Sequence, residues 1–234
     1  MFADRRRLIL SQLTEGGLDA ARLGRVCASV TGVTGAGLML MSSNVPSGSV
    51  AATDEVSTLI EDTQFALGEG PCIDAYRNDQ AVLEPDLANP AVIRWVAFTP
   101  PVVAAGARAI FGFPLQVGSV RLGALNLYCD HPGSLTDEQH ADALAMADIA
   151  AQALLIMQAN APPGVLAAEL ETGSNFQHVV HQASGMVAVQ LQVSLAQAMI
   201  RLRGYAFGNN RSLDDVADDV VKRRVRFQHD PDDR

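Results

Sequence analysis

Apolar residues recur with the period of a helix in the last part of the chain, residues 174–227. Two sets follow the spacing i, i+3, i+4, i+7, the stripe of a helix that packs on one side. The first set is Leu195, Ala198, Met199, Leu202 and Ala206. The second set is Leu213, Val216, Ala217, Val220 and Val221. The pattern predicts a small helical unit with a core of small and medium side chains.

Three serines in the same stretch stand where helices are expected to begin. Each is followed three residues later by a side chain that can complete a capping box: Ser174 with Gln177, Ser194 with Gln197, and Ser212 with Asp215. In such a box the serine hydroxyl accepts a bond from a free backbone N–H, and the later side chain accepts one from the serine N–H. The third pair uses Asp in place of Glu or Gln. We therefore expect three short helices.

Before residue 160, helical periods alternate with short apolar runs bounded by Gly, Pro and Asn. We expect helices over 2–31 and 55–66, and a third that begins at Pro71. A fourth helix should contain Trp95 and Phe98 and be interrupted by Pro100 and Pro101. A long fifth helix should begin at a cap formed by Thr136 and Gln139. We expect strands over 36–41, 50–53, 81–84, 107–115 and 120–128, with Asn44, Pro46, Ser47 and Gly48 in the first turn. This order predicts an antiparallel sheet flanked by helices, an α+β domain.

Several short motifs in the helical unit resemble the ANTAR domain family. They are Gln182 to Met186, Ala198 to Arg203, Asn210 to Leu213, and Val216-Ala217. That family binds RNA and acts in transcription antitermination, so the resemblance implies an RNA-binding unit. Members usually carry Lys where this chain has Ser184, and any RNA contact from that lysine is therefore absent here.

The element order of the first part resembles the GAF domain family, over residues 5–158. The sequence GEGPC, from Gly68 to Cys72, and the strand from Gly123 to Tyr128 carry this resemblance. Ala161-Pro162-Pro163-Gly164 breaks the long helix that precedes it. We expect a GAF-like domain over 1–160, a linker over 161–173, an all-α three-helix ANTAR-like domain over 174–227 and an acidic tail over 228–234.

Charge is distributed unevenly along the chain. The formal net charge of −9 argues against a generic binder of polyanions. Residues 1–164 hold nine basic and seventeen acidic residues, whereas residues 200–227 hold seven basic and four acidic ones. A locally basic helical end therefore follows an acidic first part.

The cysteines and the N-terminus predict a cytoplasmic location. Cys27, Cys72 and Cys129 show no CxxC pairing, which argues against a zinc ribbon and a disulfide framework and fits a reducing compartment. Arg5-Arg6-Arg7 precedes no long apolar run, so we predict no secretory signal. The apolar run from Ile149 to Met157 is short and broken by Gln152, and we expect a buried helix and no membrane span.

Candidate chemistry in the first part centres on Cys72, beside a glycine-rich loop that could open onto a pocket. If the GAF-like domain binds a small molecule, we expect Gly70, Cys72 and Trp95 at its pocket. A thiol there could sense redox state or attack a substrate, but we expect a buried structural cysteine and no catalytic residue. His178 and His181 share a helix face, yet no third ligand accompanies them, so we predict no metal site and no cofactor.

The candidate RNA-binding residues lie on the last two helices: Arg201, Arg203, Tyr205, Arg211 and Arg224. Arg201 and Arg203 flank Leu202 at the two edges of the apolar stripe, and Tyr205 is one turn beyond Arg201. An arginine beside an aromatic ring suits unstacked bases. The same arginines could instead lay their stems over the edge of the core, and the ANTAR resemblance favours RNA. Asp218 with Lys222 and Asp219 with Arg223 are expected to be i, i+4 ion pairs, which leaves Arg224 without an acidic partner at that spacing.

These observations predict a non-enzymatic regulator of transcription antitermination. Its GAF-like domain would sense a signal or dimerise, and its ANTAR-like domain would bind tandem stem-loops in nascent RNA as a homodimer. We expect the dimer to form through helices near 136–159 and 165–191, where Leu154, Ile156, Met157, Val179, Val180, Met186 and Val187 provide apolar surface. The alternatives are a DNA-binding regulator built on a helix-turn-helix variant and a GAF-type methionine sulfoxide reductase that uses Cys72.

Overall fold

The computed structural model describes residues 19–42, 45–160 and 175–228. The chain divides into two compact units, Met1–Leu166 and Ala167–Arg234, which we name the N-terminal unit and the helical unit. The predicted helix before Asp19, the linker 161–173, the Ser174–Gln177 cap and the tail from residue 229 onward lie outside the described residues.

The N-terminal unit is a five-stranded sheet with helices packed on it. The helices are α1 (Ala20–Thr31), α2 (Glu55–Leu67), α3 (Pro71–Asn78), α4 (Thr99–Ala104) and α5 (Asp137–Asn160). The strands are β1 (Gly35–Ser42), β2 (Val45–Ala52), β3 (Val82–Glu84), β4 (Ala109–Val117) and β5 (Val120–Cys129). The strand order is β2-β1-β5-β4-β3 and every neighbouring pair is antiparallel. The predicted α+β class is confirmed.

Local signals set the ends of α2 and α3. Asp54 and Ser57 form a capping box at the start of α2, and Gly68 ends it with a left-handed backbone at φ 68°. Pro71 occupies the first turn of α3, where its missing N–H costs nothing and its fixed φ suits the helix. The predicted helices at 55–66 and after Pro71 are confirmed.

The first turn was placed wrongly by the sequence pattern. Pro46 and Gly48 are part of β2, where they pair with Met41 and Leu40 across two register shifts. β2 is an edge strand, and an edge strand with bulges tolerates a proline because one side of it needs no ladder hydrogen bond.

The predicted helix around Trp95 is also wrong in its start. α4 begins at Thr99, so Trp95 and Phe98 precede it, and Pro100 and Pro101 lie in its first turn. The two prolines do not interrupt a helix but open one, because the first N–H groups of a helix have no intrahelical partner.

The helices cover both faces of the sheet. The Cα of Gly37 faces Glu61 of α2, whereas the next residue, Leu38, contacts Gly24 of α1. Successive residues of a strand point to opposite faces, so α1 and α2 lie on opposite sides. In β4, Gly112 faces the backbone of α3 at Pro71, and the ring of Phe113 lies 5.6 Å from that of His140 in α5. The sheet is therefore enclosed between α1 with α5 and α2 with α3.

Helix α5 carries the most apolar run of the N-terminal unit. By length and hydropathy Asp137–Ala159 could cross a membrane, but half of its most apolar window is buried inside the protein. Ile149, Ala150 and Leu154 belong to the core. Gln152, which breaks the run, is exposed and donates to Asp148. The pair His178–Leu191 and Leu195–Gly208 passes the same test only if its bend of 104° is ignored.

The helical unit consists of α6 (Asn175–Leu191), α7 (Leu195–Gly208) and α8 (Leu213–Val221), followed by a C-terminal segment, residues 222–228. Its core is formed by one face of each helix. The buried residues are Val180, Ala183, Val187, Leu191, Ala198, Met199, Leu202, Ala206, Leu213, Val216, Ala217 and Val220. Both predicted stripes are confirmed except at their ends. Leu195 is 62% exposed, because it is the first residue of its helix, and Val221 is half-buried, because it is the last residue of its helix.

The two described serine caps differ. Ser194 and Gln197 form the complete predicted box. Ser212 accepts from the Asp215 N–H at 3.3 Å, but its hydroxyl donates to the Asp215 carboxylate at 2.7 Å. The reciprocal bond to the serine N–H is not formed there, because the Asp side chain is one methylene shorter than Glu or Gln. The third box is therefore a single cap.

Candidate nucleic-acid interface and small-molecule pocket

Helix α7 presents the first group of candidate RNA contacts. Its apolar stripe buries Leu202, which leaves Arg201 exposed and Arg203 half-buried on either side. Tyr205 is half-buried, and its ring centroid lies 5.3 Å from that of Phe227 in the C-terminal segment. The aromatic ring expected beside Arg201 is thus held in place by a second ring.

Asp219 joins two other candidates. Its carboxylate accepts from Arg211 at 2.7 Å and from Arg224 at 3.2 Å, and Arg211 also donates to the backbone oxygen of Asp215. The bonds from Arg211 and Arg224 lower the pKa of Asp219, and the bond to Asp219 raises the pKa of Arg211. The structure therefore brings Arg211 and Arg224 together around one carboxylate.

This arrangement corrects two expectations about α8. Arg224 does have acidic partners, with Asp218 at 4.0 Å in addition to Asp219, and Asp219 binds Arg211 and Arg224 in place of Arg223. The predicted pair of Asp218 with Lys222 is confirmed at 2.7 Å. The i, i+4 rule fails for Arg223 because α8 ends at Val221 and Arg223 has a left-handed backbone, with φ 61°.

The chain reverses after α8 through a Schellman motif. The N–H of Arg223 donates to Val220 O and the N–H of Arg224 to Asp219 O, which is the pair of bonds that defines this helix end. Glycine usually takes the left-handed position, and here it is Arg223. The reversal carries the chain back to α6, where the N–H of Phe227 donates to the side chain of Gln190 at 2.8 Å.

The N-terminus of α8 is a weaker site for phosphate than its free N–H groups suggest. Asp214 and Asp215 both lie in its first turn. Two carboxylates there oppose the attraction that the helix dipole offers an anion. Arg211 precedes this turn, but its guanidinium faces Asp219.

A groove in the helical unit includes residues that the sequence pattern did not single out. Its volume is about 810 Å³, and its lining consists of Gln182, Gly185, Met186, Val189, Gln190, Arg223, Arg226, Phe227 and Gln228. Periodicity could not reveal Arg226 and Phe227 because they follow the last helix. The alternation of arginine with apolar residues in RRVRF, residues 223–227, was the available signal.

Ser184, the position where the ANTAR family usually has Lys, is buried in α6. Its hydroxyl donates to the backbone oxygen of His181 at 2.8 Å. The hydroxyl therefore satisfies its hydrogen bond within the helix. Gly185 and Met186, the next residues, line the groove.

Trp95 lines a separate pocket in the N-terminal unit. The pocket has a volume of about 220 Å³, and its lining consists of Glu84, Leu87, Ala88, Pro90, Val92, Ile93, Arg94, Trp95, Val96, Thr99 and Pro100. The indole N–H donates to Asp74 at 2.9 Å, which fixes the ring. Arg94 lies 4.5 Å from the ring centroid and forms an ion pair with Glu84 at 3.1 Å.

Cys72 and Gly70 lie beside α2. Cys72 is fully buried in the cluster that also contains Trp95, and its N–H donates to Gln64. Burial raises the pKa of the Cys72 thiol well above its usual value, and the nearby Glu61 carboxyl raises it further. Gly70 has φ 135°, and a Cβ there would meet the Gln64 side chain. Both residues therefore serve the packing of α2 against the start of α3.

A group of buried polar side chains surrounds Cys72. Asn126 of β5 donates to Glu61 at 3.2 Å, and burial raises the pKa of Glu61 from 4.5 to about 8 although this bond opposes the rise. Among the described residues, Glu61 Oε2, Gln64 Nε2 and Asn126 Oδ1 have no hydrogen-bond partner. Glu61 is held as a neutral acid near physiological pH, because a buried unpaired charge is costly.

Some of the apolar residues predicted to form the dimer interface are buried in the core of their own unit. Leu154, Val180 and Val187 are fully buried, so they add nothing to an outer apolar face. Ile156 remains 53% exposed and Val189 is 79% exposed. No group of three or more His, Cys, Asp or Glu side chains in the described residues could hold a metal ion.

Comparison with protein families identifies both units. Residues 7–155 match the family model of the GAF domain, and residues 168–221 match that of the ANTAR domain. No curated protein sequence matches the chain.

Solved structures resemble the N-terminal unit in fold. The GAF domain from a phosphoenolpyruvate-protein phosphotransferase of Coxiella burnetii is 13% identical, with a TM-score of 0.51 over 67% of this chain and 94% of that one. The GAF domain of the Acinetobacter phosphoenolpyruvate-protein phosphotransferase is 11% identical, with a TM-score of 0.49 over 67% and 94%. A type II free methionine-R-sulfoxide reductase from Thermoplasma acidophilum is 18% identical, with a TM-score of 0.42 over 64% and 95%.

The fold and the family matches define a regulatory protein that joins two domains. The chain belongs to the GAF domain family, and an ANTAR domain follows its GAF domain.

Proposed function

We propose that the ANTAR domain binds paired stem-loops in nascent RNA and thereby prevents a terminator from forming, under the control of the GAF domain. The observation that carries the proposal is the ANTAR match over a unit that exposes Arg201 beside the half-buried Tyr205. Cations and aromatic rings side by side suit the unstacked bases of RNA loops, which a duplex hides.

The other candidate contacts divide by their environment. Arg203 flanks the buried Leu202 on the far edge from Arg201, so the two arginines lie on different sides of α7. Arg211 and Arg224 share Asp219, which lowers their combined charge. We place the main contact on Arg201 and Tyr205, which lie one helical turn apart on the same edge of α7, with Arg203, Arg211 and Arg224 as secondary contacts.

A titration of the full chain with a two-hairpin RNA tests this proposal. We expect Arg201→Ala to weaken binding by about 1–3 kcal/mol if Arg201 contacts a base. Arg77→Ala is the matched control, because Arg77 is an exposed arginine in α3 of the GAF domain. Equal binding of the parent and Arg201→Ala would exclude this face, and equal competition by duplex DNA would favour a DNA-binding regulator.

The state of Cys72 favours a regulator over a sulfoxide reductase. A reductase cysteine must be reached by its substrate and attack as a thiolate, whereas Cys72 is fully buried and its pKa is raised. We expect Cys72→Ala to leave RNA binding within a few-fold. Rapid modification of Cys72 by a thiol reagent, with loss of binding, would contradict this assignment.

The Trp95 pocket is the proposed site of a small ligand that the GAF domain senses. Its lining is mostly apolar and includes the ion pair of Arg94 with the buried Glu84, which suits a small molecule that is largely apolar. Trp95 is the only tryptophan of the chain, so a ligand that enters the pocket should change the tryptophan fluorescence. Tryptophan fluorescence that stays unchanged when a ligand is shown to bind by calorimetry would contradict this site.

A further inference from the structure

We infer that the groove between α6 and the C-terminal segment holds one unpaired base of the RNA, with Phe227 as its stacking surface. The inference rests on the proposed RNA binding and adds a contact outside α7. The groove is formed within the helical unit, and its volume of about 810 Å³ lies in the usual range for pockets that hold small organic groups, roughly 300–1,000 Å³.

The backbone and the ring of Phe227 are each held by a contact within the helical unit before any ligand binds. The Schellman reversal at Arg223 brings the chain back, and the N–H of Phe227 donates to Gln190 of α6. Its ring packs on Tyr205 at 5.3 Å with an interplanar angle of 60°. A ring held in this way loses little conformational freedom when a base stacks on it, which favours binding.

The floor of the groove is apolar and has space for a planar group. Met186 and Val189 line it, and Val189 is 79% exposed. Gly185 has no side chain, and a Cβ added at this position would meet no atom within 4 Å, so the space beside it is empty. An apolar floor beside an aromatic ring is the environment that an unstacked base requires.

The polar rim of the groove fits a nucleotide. Arg223 and Arg226 supply positive charge, and no carboxylate belongs to the lining. In the part of the chain that the structure describes, neither arginine forms an ion pair, in contrast to Arg211 and Arg224 at Asp219. The side-chain amides of Gln182 and Gln228 offer donors and acceptors of the kind that base edges pair with.

The backbone at Arg223 agrees with a binding role. Its φ of 61° is the left-handed conformation in which a residue with a Cβ is strained, and glycine is the usual residue at this position of the motif. Residues in sparsely populated conformations cluster at functional sites. The guanidinium of Arg223 lines the groove, which is consistent with this tendency.

The test uses the full chain and a two-hairpin RNA that carries 2-aminopurine in one loop. The fluorescence of 2-aminopurine falls when it stacks on an aromatic ring. In Gly185→Leu the new side chain occupies part of the groove beside Met186 and removes no existing group, while Gly185→Ala adds only a methyl group. We expect Leu to weaken binding roughly 5- to 150-fold, the range for loss of one stacked base, and to abolish the quenching. We expect Ala to bind within about two-fold of the parent, because methyl addition in a helix is favourable.

A second pair of variants addresses the ring itself. Phe227→Leu keeps an apolar side chain against Tyr205, and its thermal unfolding by circular dichroism shows whether the unit remains folded. A folded Phe227→Leu protein should lose the quenching and bind more weakly, by several-fold, whereas Arg77→Ala should match the parent.

Three results would overturn the inference. If Gly185→Leu and Phe227→Leu bind and quench like the parent, the base does not lie in this groove, although the proposed RNA binding stands. If Gly185→Leu changes the mass found by light scattering and leaves RNA affinity unchanged, the groove is a contact between copies of the chain. If the parent does not bind the two-hairpin RNA at all, the proposed function fails together with the groove.

Discussion

At the scale of single residues, the end of α8 decides which cations are available. Asp219 holds Arg211 and Arg224, while the left-handed turn at Arg223 directs the chain towards α6. Helical spacing predicted a different pairing because it assumes that the helix continues. One residue with a positive φ thus changes which arginines can meet a ligand.

Replacement of Arg223 by glycine should separate stability from binding. Glycine adopts the left-handed conformation without the cost of a Cβ, so we expect the free energy of unfolding to rise by about 1 kcal/mol. RNA affinity should fall, because one cation leaves the groove. Urea denaturation and RNA titration of the same protein measure both changes. Lys222→Gly is the control, since Lys222 has φ −76° and should gain no stability.

Replacement of Asp219 by asparagine should have the opposite effects on stability and on RNA affinity. It removes the carboxylate that holds Arg211 and Arg224, so we expect lower stability and tighter RNA binding with a steeper dependence on salt. Asp218→Asn provides the comparison, because Asp218 pairs mainly with Lys222. An unchanged salt slope in Asp219→Asn would show that neither arginine approaches the RNA.

The stability due to Asp219 should also depend on pH. Its pKa is lowered in the folded protein by Arg211 and Arg224, so its contribution is present above the ordinary pKa of an aspartate and is lost as pH falls through the lowered value. Acid denaturation of the parent and of Asp219→Asn should therefore differ in slope at low pH only.

At the scale of elements, α2 packs an ionisable group against the sheet. Glu61 faces Gly37 of β1 and bonds Asn126 of β5, so a carboxyl takes the place of an apolar side chain in the core. The sequence predicted only a helix over 55–66 here and did not indicate a buried carboxyl. Only the pairing of β1 with β5 brings Asn126 and Gly37 to the same place.

Glu61 should make the stability of the GAF domain fall as pH rises. Its pKa is raised from 4.5 to about 8, so the folded state binds more protons than the unfolded chain between these values, and stability declines across that window by up to about 1.4 kcal/mol per pH unit. Glu61→Gln keeps the size and shape of the side chain but removes the titratable carboxyl. Denaturation at pH 5 and pH 8 should show a flatter profile in this variant than in the parent, and equal profiles would contradict the assignment.

At the scale of the whole molecule, the chain combines an acidic GAF domain with a locally basic ANTAR end. A net charge of −9 opposes unspecific attraction to RNA. In the function we propose, affinity would therefore come from a few placed contacts and from two binding units. A homodimer would supply two units for two loops, and their effective concentration would raise the overall affinity.

We expect the dimer to use the exposed end of α5. Ile156 is 53% exposed there, and a charge in an apolar interface is costly. Ile156→Glu should therefore give the monomer mass in light scattering and weaken binding of the two-hairpin RNA more than binding of a single hairpin. Gln158→Glu, an exposed change on the same helix, should remain a dimer. A monomeric parent that binds the two-hairpin RNA with full affinity would exclude this arrangement.

The sequence by itself determined most of the described helices and strands and both domain families, because caps, turns and apolar periods depend on neighbours a few residues apart. Ser194 with Gln197, Gly68 and Pro71 each acted where they were expected. Only the tertiary structure decided that Pro46 extends an edge strand, that Asp219 holds Arg224, and that Phe227 meets Tyr205 and Gln190. These facts depend on where the chain turns and on what a distant segment then offers, and no local pattern records that.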